Sequence, residues 1–156
     1  MREKQFIVRQ GAYRKYENIT NEVQKILDGW GINDGHVHVM VAHTTCSLVI
    51  QEDEPCLING DLFRILEKLA PVEGHYQHDD FSVRTQNLDS KRKERKNGFA
   101  HMRALLIGKP EYTIPVRDGK LALGRWQQIL FLDFDTRERI QPRTVTVSMI
   151  EGPTIN

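Results

Sequence analysis

The stretch HVHVMVAHTTCSLVIQEDE, residues 36–54, sets three imidazoles and a thiol inside an apolar run that ends on acidic residues. The chain has six histidines, and a neutral imidazole is both a proton carrier and a common metal ligand. His36 and His38 lie two apart on one face of an alternating strand, a spacing that can bind metal, but they oppose the valine face and are expected in solvent. His43 has the parity of Val37, Val39 and Val41 and falls where the chain turns polar, so it should sit at the rim of an apolar face, partly dehydrated and neutral. His78 stands beside Asp79 and Asp80 in a polar segment, and His101 opens an apolar helical segment after Asn97 and Gly98. Packing asks for a histidine at neither position. Three such rings from a strand end, a loop and a helix start would give a tetrahedral divalent ion such as zinc three ligands and leave one position open, the pattern of catalytic sites. With no HExxH and no CxxC, spacing alone leaves a three-histidine site and scattered structural histidines both standing.

The rival chemistry is a thiol nucleophile, since Cys46 follows His43 by three. In an extended strand that spacing points the two side chains to opposite faces and parts a nucleophile from its base. Cys46 and Cys56, the only cysteines, therefore read as packing thiols. Asp53 and Glu54 read as the acidic start of a helix, with Asp53 as N-cap, whereas Glu52, just before the cap, remains a candidate for moving a proton.

The elements that must position these residues follow from periodicity. Gln5 to Arg9 reads as a short strand. Ile19, Val23, Ile26, Leu27 and Trp30 fall at helical spacing, with Asn18 or Thr20 as N-cap and Gly29 or Gly31 as the stop. From Gly35 alternation predicts a strand, which Leu48 to Ile50 extends or follows with a second. Pro55 suits a first helical turn, so a helix should run to about Ala70, with Ile58, Leu62, Ile65, Leu66 and Leu69 as its apolar face. Residues 74 to 97 are polar and irregular, longer than most connections, which favours a functional loop. His101, Ala104, Leu105 and Gly108 suggest a short helix. Tyr112 to Val116 is a strand, Asp118-Gly119 a hairpin turn, and Leu121 to Leu123 the returning arm. Gln128 to Asp135 and Arg143 to Ile150 complete a run of strands. Early helices and late strands indicate an α+β fold, mostly antiparallel and sandwich-like, with two main helices.

At 156 residues the chain fits a single domain over 1–156. Its charges nearly cancel, at net +1, so no broad field favours nucleic acid or an anionic membrane. The basic run of residues 91–96 lacks interleaved aromatics and reads as a solvated loop. No apolar run approaches the roughly 18 to 20 residues of a membrane span, and Met1-Arg2-Glu3-Lys4 lacks a secretory apolar stretch, so a cytoplasmic setting is expected.

HTTCSLVIQEDE resembles the HTT-A-[AS]-L-x-[IV]-[NQ]-E element of the YjbQ family, also called UPF0047 or the secondary thiamine-phosphate synthase family. The likeness continues through YQHDDFSVRTQNLD, through NGFAHMRALLIGKPEYTIPVRDGKLALGRWQQI and to FLDFD, in order, over residues 5 to 150. It implies a YjbQ-like α+β fold, a homotrimer, and a divalent metal, zinc, among His43, His78 and His101, which match the family's recurring histidines. It also implies an activity that joins a hydroxymethylpyrimidine diphosphate to a thiazole phosphate. The chain departs from the pattern at Cys46, where relatives carry Ala, at Phe99, where some carry His, and at Thr136-Arg137-Glu138-Arg139, where Gly-Pro-Arg is usual. Arg137 or Arg139 is the candidate substitute for that last arginine.

Together these observations predict a metal-dependent enzyme acting on a small phosphorylated metabolite, or else a trimeric metal- or metabolite-binding protein without turnover. Arg84, Arg125 and the Asn97-Gly98 helix start would hold phosphate, since guanidinium forks and helix N-termini suit that anion. Thr44 and Thr45 would orient substrate or ligands, and Glu52 or Asp79 would fix an imidazole tautomer or move a proton. For the arginines plain surface charge is an equally good reading, and for Thr45 strand propensity is. Trp126 is expected in the core or a trimer interface, where its indole N–H finds an acceptor.

Overall fold

The computed structural model describes residues 2–9, 16–88, 94–135 and 142–151, without the side chains of 150 and 151. In chain order the elements are β1 (Arg2–Val8), β2 (Tyr16–Asn18), α1 (Thr20–Trp30), β3 (Gly35–Val41), β4 (Cys46–Gln51), a π-helical stretch (Cys56–Leu62) running into α2 (Phe63–Leu69), a 3-10 turn (Gln77–Asp79), α3 (Gly98–Ile107), β5 (Glu111–Arg117), β6 (Lys120–Leu121), β7 (Gln128–Asp133) and β8 (Arg143–Glu151). Five strands form one sheet in the order β1-β8-β3-β5-β6, and three form a second in the order β2-β7-β4. Every pairing is antiparallel. The fold is the expected α+β class.

Alternation explains the layers. Val37, Val39 and Val41 of β3 join Val145, Val147 and Met149 of β8 in one core with Leu48 of β4, Ile129 and Phe131 of β7, and Val23, Ile26 and Leu27 of α1. The opposite face of the small sheet, through Tyr16, Leu130 and Leu132, packs with Ile58, Phe63, Leu66, Phe99, Ala100 and Ala104 of the helices. β7 is therefore buried on both faces, which is why it reads as a continuous apolar run rather than an alternating one. Each of its large side chains contributes about 1.5–3 kcal/mol relative to exposure.

Several boundaries differ from expectation. β1 begins at Arg2, before Gln5, because it pairs in register with β8 from Arg2↔Met149 onward. β2 was invisible to periodicity because it is only three residues long. Cys46–Gln51 is a separate strand, entered through a turn in which the Cys46 amide donates to the His43 carbonyl at 3.3 Å. The N-cap of α1 is Ile19, with no side-chain cap hydrogen bond, rather than Asn18 or Thr20; Asn18 precedes it, its Oδ1 accepting from the Thr20 amide at 3.0 Å. Asp53 is not the N-cap of the second helix. Its carboxylate accepts from the Tyr16 hydroxyl and from Asn18 Nδ2, tying the loop to β2, while Glu54 receives the Cys56 and Leu57 amides at 2.8 and 2.6 Å. The π-helical stretch carries an extra residue per turn and re-phases the helix. As a result Ile65 and Leu69, expected inside, are 47% and 64% exposed.

α3 starts three residues before His101, at Gly98. A Cβ on Gly98 would lie 2.5 Å from Tyr76 Cβ, so close approach to Tyr76 requires glycine there. The hairpin turn between β5 and β6 is as read: Asp118 and Gly119 both have positive φ, 49° and 74°, the geometry that Asp-Gly favours. Trp126 is 63% exposed within the subunit, so it is not a core residue. No helix among the described residues is long and apolar enough to cross a membrane.

Candidate active site

Two adjoining cavities open beside α3. The first, about 580 Å³, is lined by Met40, Ala42, His43, Cys46, Ala104 and Lys109 among others. The second, about 860 Å³, is lined by His75, Gln77, His78, Arg84, Asn87 and Met102 among others. Thr44, His101 and Leu105 line both, so the two are lobes of one cleft that meets at His101.

The three histidines reach this cleft from the turn after β3, the 3-10 turn and the first turns of α3. The His78 and His101 rings are in contact, with centroids 4.6 Å apart and planes inclined at 41°. Burial lowers the proton affinity of His101, and the neighbouring His78 lowers it further. Burial does the same for His43, helped by the Arg143 guanidinium. Both rings are therefore held neutral, as a metal ligand requires.

His78 Nδ1 lies 2.9 Å from Asp79 Oδ1. The carboxylate can only accept from the neutral ring, which leaves the lone pair on Nε2. His43 Nδ1 is 3.0 Å from the Thr45 hydroxyl and 3.3 Å from the Thr45 amide. The Thr45 amide can only donate, which makes His43 Nδ1 an acceptor and leaves the ring proton on Nε2, while the Thr45 hydroxyl donates onward to Asp133 Oδ1 at 3.5 Å. Three imidazoles suit a divalent ion in donor type, and His43 would bind through Nε2 once its proton moved to Nδ1. Among the described residues, however, no three His, Cys, Asp or Glu side chains already converge at ion-binding distance.

The other candidates divide. Thr44 is exposed and lines both lobes, whereas Thr45 is buried and supports His43. Asp79 sits under His78, but the same oxygen also accepts the Gly98 amide at 2.9 Å. The start of α3 is thereby capped by the protein's own carboxylate. Asn97 gives its amide to Asp135 Oδ2 at 3.0 Å. Arg84 donates from Nη2 to the Asn87 carbonyl at 2.8 Å, and from Nη1 and Nε to those of His78 and Gln86 at 3.3 Å. It staples its own loop beside the cleft, so much of its fork is already engaged.

Glu52 and Arg125 are not brought to the histidines within the subunit. Gln51 pairs with Gln128 at one end of the small sheet, whereas Cys46 pairs with Asp133 at the other. At about 3.3 Å per residue β4 separates the two ends by roughly 17 Å. The Arg125 guanidinium instead lies over the Trp126 ring, 4.9 Å from its centroid. Burial pushes the Cys46 thiol up, which leaves it protonated and inert as expected. His36 is exposed as read, but His38 is half-buried, its Nε2 3.0 Å from Glu111. Arg137 and Arg139 lie outside the described residues.

A buried charge cluster behind His43 was missed. Arg143 Nε donates to Asp133 Oδ2 at 2.7 Å, with side chains 8% and 2% exposed. Asp133 Oδ1 accepts the Asp135 amide at 3.0 Å, and Asp135 Oδ2 takes Arg95 Nη1 at 2.9 Å. Asp135 Oδ1 and Arg143 Nη2 are buried without a hydrogen-bond partner among the described residues. FLDFD carried the signal: two carboxylates at alternate positions of an otherwise apolar strand must find buried partners.

The two-sheet α+β architecture is already represented among solved structures. A hypothetical protein from Aeropyrum pernix superposes with TM-score 0.79 at 28% identity, covering 97% of this chain and all of that one. An uncharacterised protein of the yjbq/upf0047 family from Clostridium acetobutylicum gives 0.75 at 29%, covering 94% and 99%. A UPF0047 protein of Archaeoglobus fulgidus is 42% identical over 118 residues, 76% of this chain and 79% of that one. YugU of Bacillus subtilis, also a UPF0047 protein, is 32% identical over 129 residues, 83% of each. The family model described as UPF0047 protein YjbQ-like matches residues 4–152, and the chain belongs to that family.

Proposed function

We propose that the chain is a metal-dependent enzyme acting on a small phosphorylated molecule, with His43, His78 and His101 as the side chains that would hold a divalent ion, zinc in keeping with an all-imidazole set. The observation that carries this reading is the ring contact of His78 with His101 in a cleft that His43 also lines. A bound divalent ion supplies Lewis acidity toward a phosphoryl oxygen or water. The chain's own residues do the rest: Asp79 fixes the His78 tautomer, and burial keeps His43 and His101 unprotonated. No carboxylate lines either lobe among the described residues, so an anionic substrate meets no direct repulsion. Thiamine-phosphate synthase activity, the transfer the family resemblance implies, is the first reaction to assay. A homotrimer belongs to the same reading, since Leu69, Leu105 and Trp126 are 64%, 72% and 63% exposed and suit coverage by neighbouring copies.

A second reading, a metal- or metabolite-binding protein without turnover, is favoured by one observation. Asp79 is engaged by two partners and Glu52 stands at the far end of β4, so neither candidate is a free carboxylate beside the rings.

The test is metal analysis of the purified protein beside His43→Ala, His78→Ala and His101→Ala. Wild type should retain zinc that each variant loses; a wild type that holds no metal and takes up none on addition ends the reading. Joining of the two thiamine precursors should stop on chelation, and turnover unaffected by chelator would remove the ion from the mechanism. Stoichiometric metal with no turnover would favour the binding protein.

A further inference from the structure

Two of the three cleft histidines have a partner that fixes the ring. His78 Nδ1 lies 2.9 Å from Asp79 Oδ1, and His43 Nδ1 takes the Thr45 amide at 3.3 Å. His101 touches the His78 ring, but among the described residues no hydrogen bond holds either of its ring nitrogens. A histidine that serves as a ligand or a proton carrier works from one tautomer, and the partner of its second nitrogen selects it.

Asp135, behind the cleft, has the converse problem. It is 3% exposed. Its Oδ2 accepts from Arg95 Nη1 at 2.9 Å and from Asn97 Nδ2 at 3.0 Å, while its Oδ1 is buried with no hydrogen-bond partner among the described residues. A buried oxygen left unpaired in a folded protein calls for a functional cause. The bond to Asn97 says where that oxygen stands. Asn97 is the N-cap residue of α3, yet its side chain makes no capping hydrogen bond. It is turned to Asp135, and Asp79 takes the Gly98 amide instead. His101 follows Asn97 by four residues, and its amide bonds to the Asn97 carbonyl at 3.3 Å. Residues four apart share a helix face, and a helical side chain leans back over the turn before it. The His101 ring is thereby directed over the turn that Asp135 grips. The charge of Asp135 reaches that ring too: burial lowers the proton affinity of His101, and the carboxylate works against that loss.

We propose that Asp135 is the positioning residue of His101, its free Oδ1 accepting the N–H of one ring nitrogen and leaving the lone pair of the other to the cleft. In this conformation ring and carboxylate are not in hydrogen-bond contact; a turn of the half-buried ring about its Cβ–Cγ bond, which breaks no hydrogen bond, closes the link. Asp135 does not line the cleft and acts only through the ring. For the ion this inference rests on the functional reading above; for the tautomer it does not.

The test is long-range proton–nitrogen NMR correlation of the histidine rings in the metal-free protein, at a pH where they are neutral, followed by calorimetric titration with zinc. Wild-type His101 should be a single tautomer. In Asp135→Asn the amide oxygen must stay with Arg95 and Asn97, which only donate, so an amide N–H replaces Oδ1 and the acceptor becomes a donor. The His101 proton should then move to its other nitrogen while His43 and His78 keep their tautomers, and zinc affinity should fall about 10- to 100-fold. A general loss of structure would not exchange one tautomer for the other. Should that variant fail to fold, Asn97→Ala frees the carboxylate from the helix start and should leave His101 a mixture of tautomers. A mixture in wild type, or a His101 tautomer that the folded variant leaves unchanged, would overturn the proposal. If the tautomer exchanges while wild type binds no zinc, the role of Asp135 stands and metal dependence falls; if zinc binds wild type and the tautomer does not exchange, the reverse holds.

Discussion

The small sheet has two ends, and the motif HTTCSLVIQEDE runs from one to the other. At the Cys46 end, paired with Asp133, lie buried side chains: Thr45, Asp133, Asp135 and Arg143, all under 9% exposed, behind a half-buried His43. At the Gln51 end, paired with Gln128, stand exposed ones: Glu52, Arg125 and Trp126. Residues that look like one constellation on paper thus occupy opposite environments, because a strand carries its side chains apart at over 3 Å per step. The first end can tune protonation and hold a ligand. The second can do so only with help from outside the subunit.

The largest expected effect of breaking that contrast is at the buried end. Asp133→Ala leaves the Arg143 guanidinium without its acceptor at 2.7 Å, and should cost about 3–5 kcal/mol. Thermal unfolding should drop by roughly 6–20 °C for a domain of this size. A shift under about 2 °C would mean the pair is not structurally required. Asp79→Asn comes next. It weakens the support of His78 Nδ1 and should lower zinc affinity about 10- to 100-fold with little loss of fold; isothermal titration with zinc reads both the affinity and the stoichiometry.

A pH titration sharpens the comparison further. His43 and His101 have proton affinities lowered from the ordinary value of 6.5, so the unfolded chain takes up protons that the folded chain refuses. Their contribution is complete above pH 6.5 and is lost as the pH falls through the lowered folded values. The metal-free protein should therefore melt progressively lower below that point, and His43→Asn should flatten the profile. An identical slope in the variant would place the acid sensitivity elsewhere. The smallest effects belong to the exposed end: Glu52→Gln and Arg125→Ala should each change stability by less than about 0.5 kcal/mol and leave subunit zinc content as it was. If Glu52→Gln instead abolishes activity in the assembled protein, a neighbouring copy must bring that end to the histidines.

Much of the fold was legible because one-dimensional periodicity is set by burial. The valines of β3, the apolar spacing of α1 and the Asp-Gly turn each predicted their element. The misreadings share a cause. Asp53 is by type the better cap, and only the position of Tyr16 and Asn18 drew its carboxylate away and left Glu54 to take the helix amides. Gly98 looked like an anion-binding helix start, yet Tyr76 packs against its α-carbon and Asp79 takes its amide. Arg84 lines the cleft as a phosphate fork would, yet three carbonyls of its own loop take much of its guanidinium.

The sequence alone determined the α+β class, its mostly antiparallel character and the neutral-imidazole chemistry open to His43, since these depend on local pattern and on side-chain type. Only the tertiary structure decided which histidines meet, which carboxylates are already engaged and which end of β4 faces the cleft. Those are matters of distance between segments far apart in the chain, fixed by how two sheets and three helices share their cores, and no spacing along the chain records them.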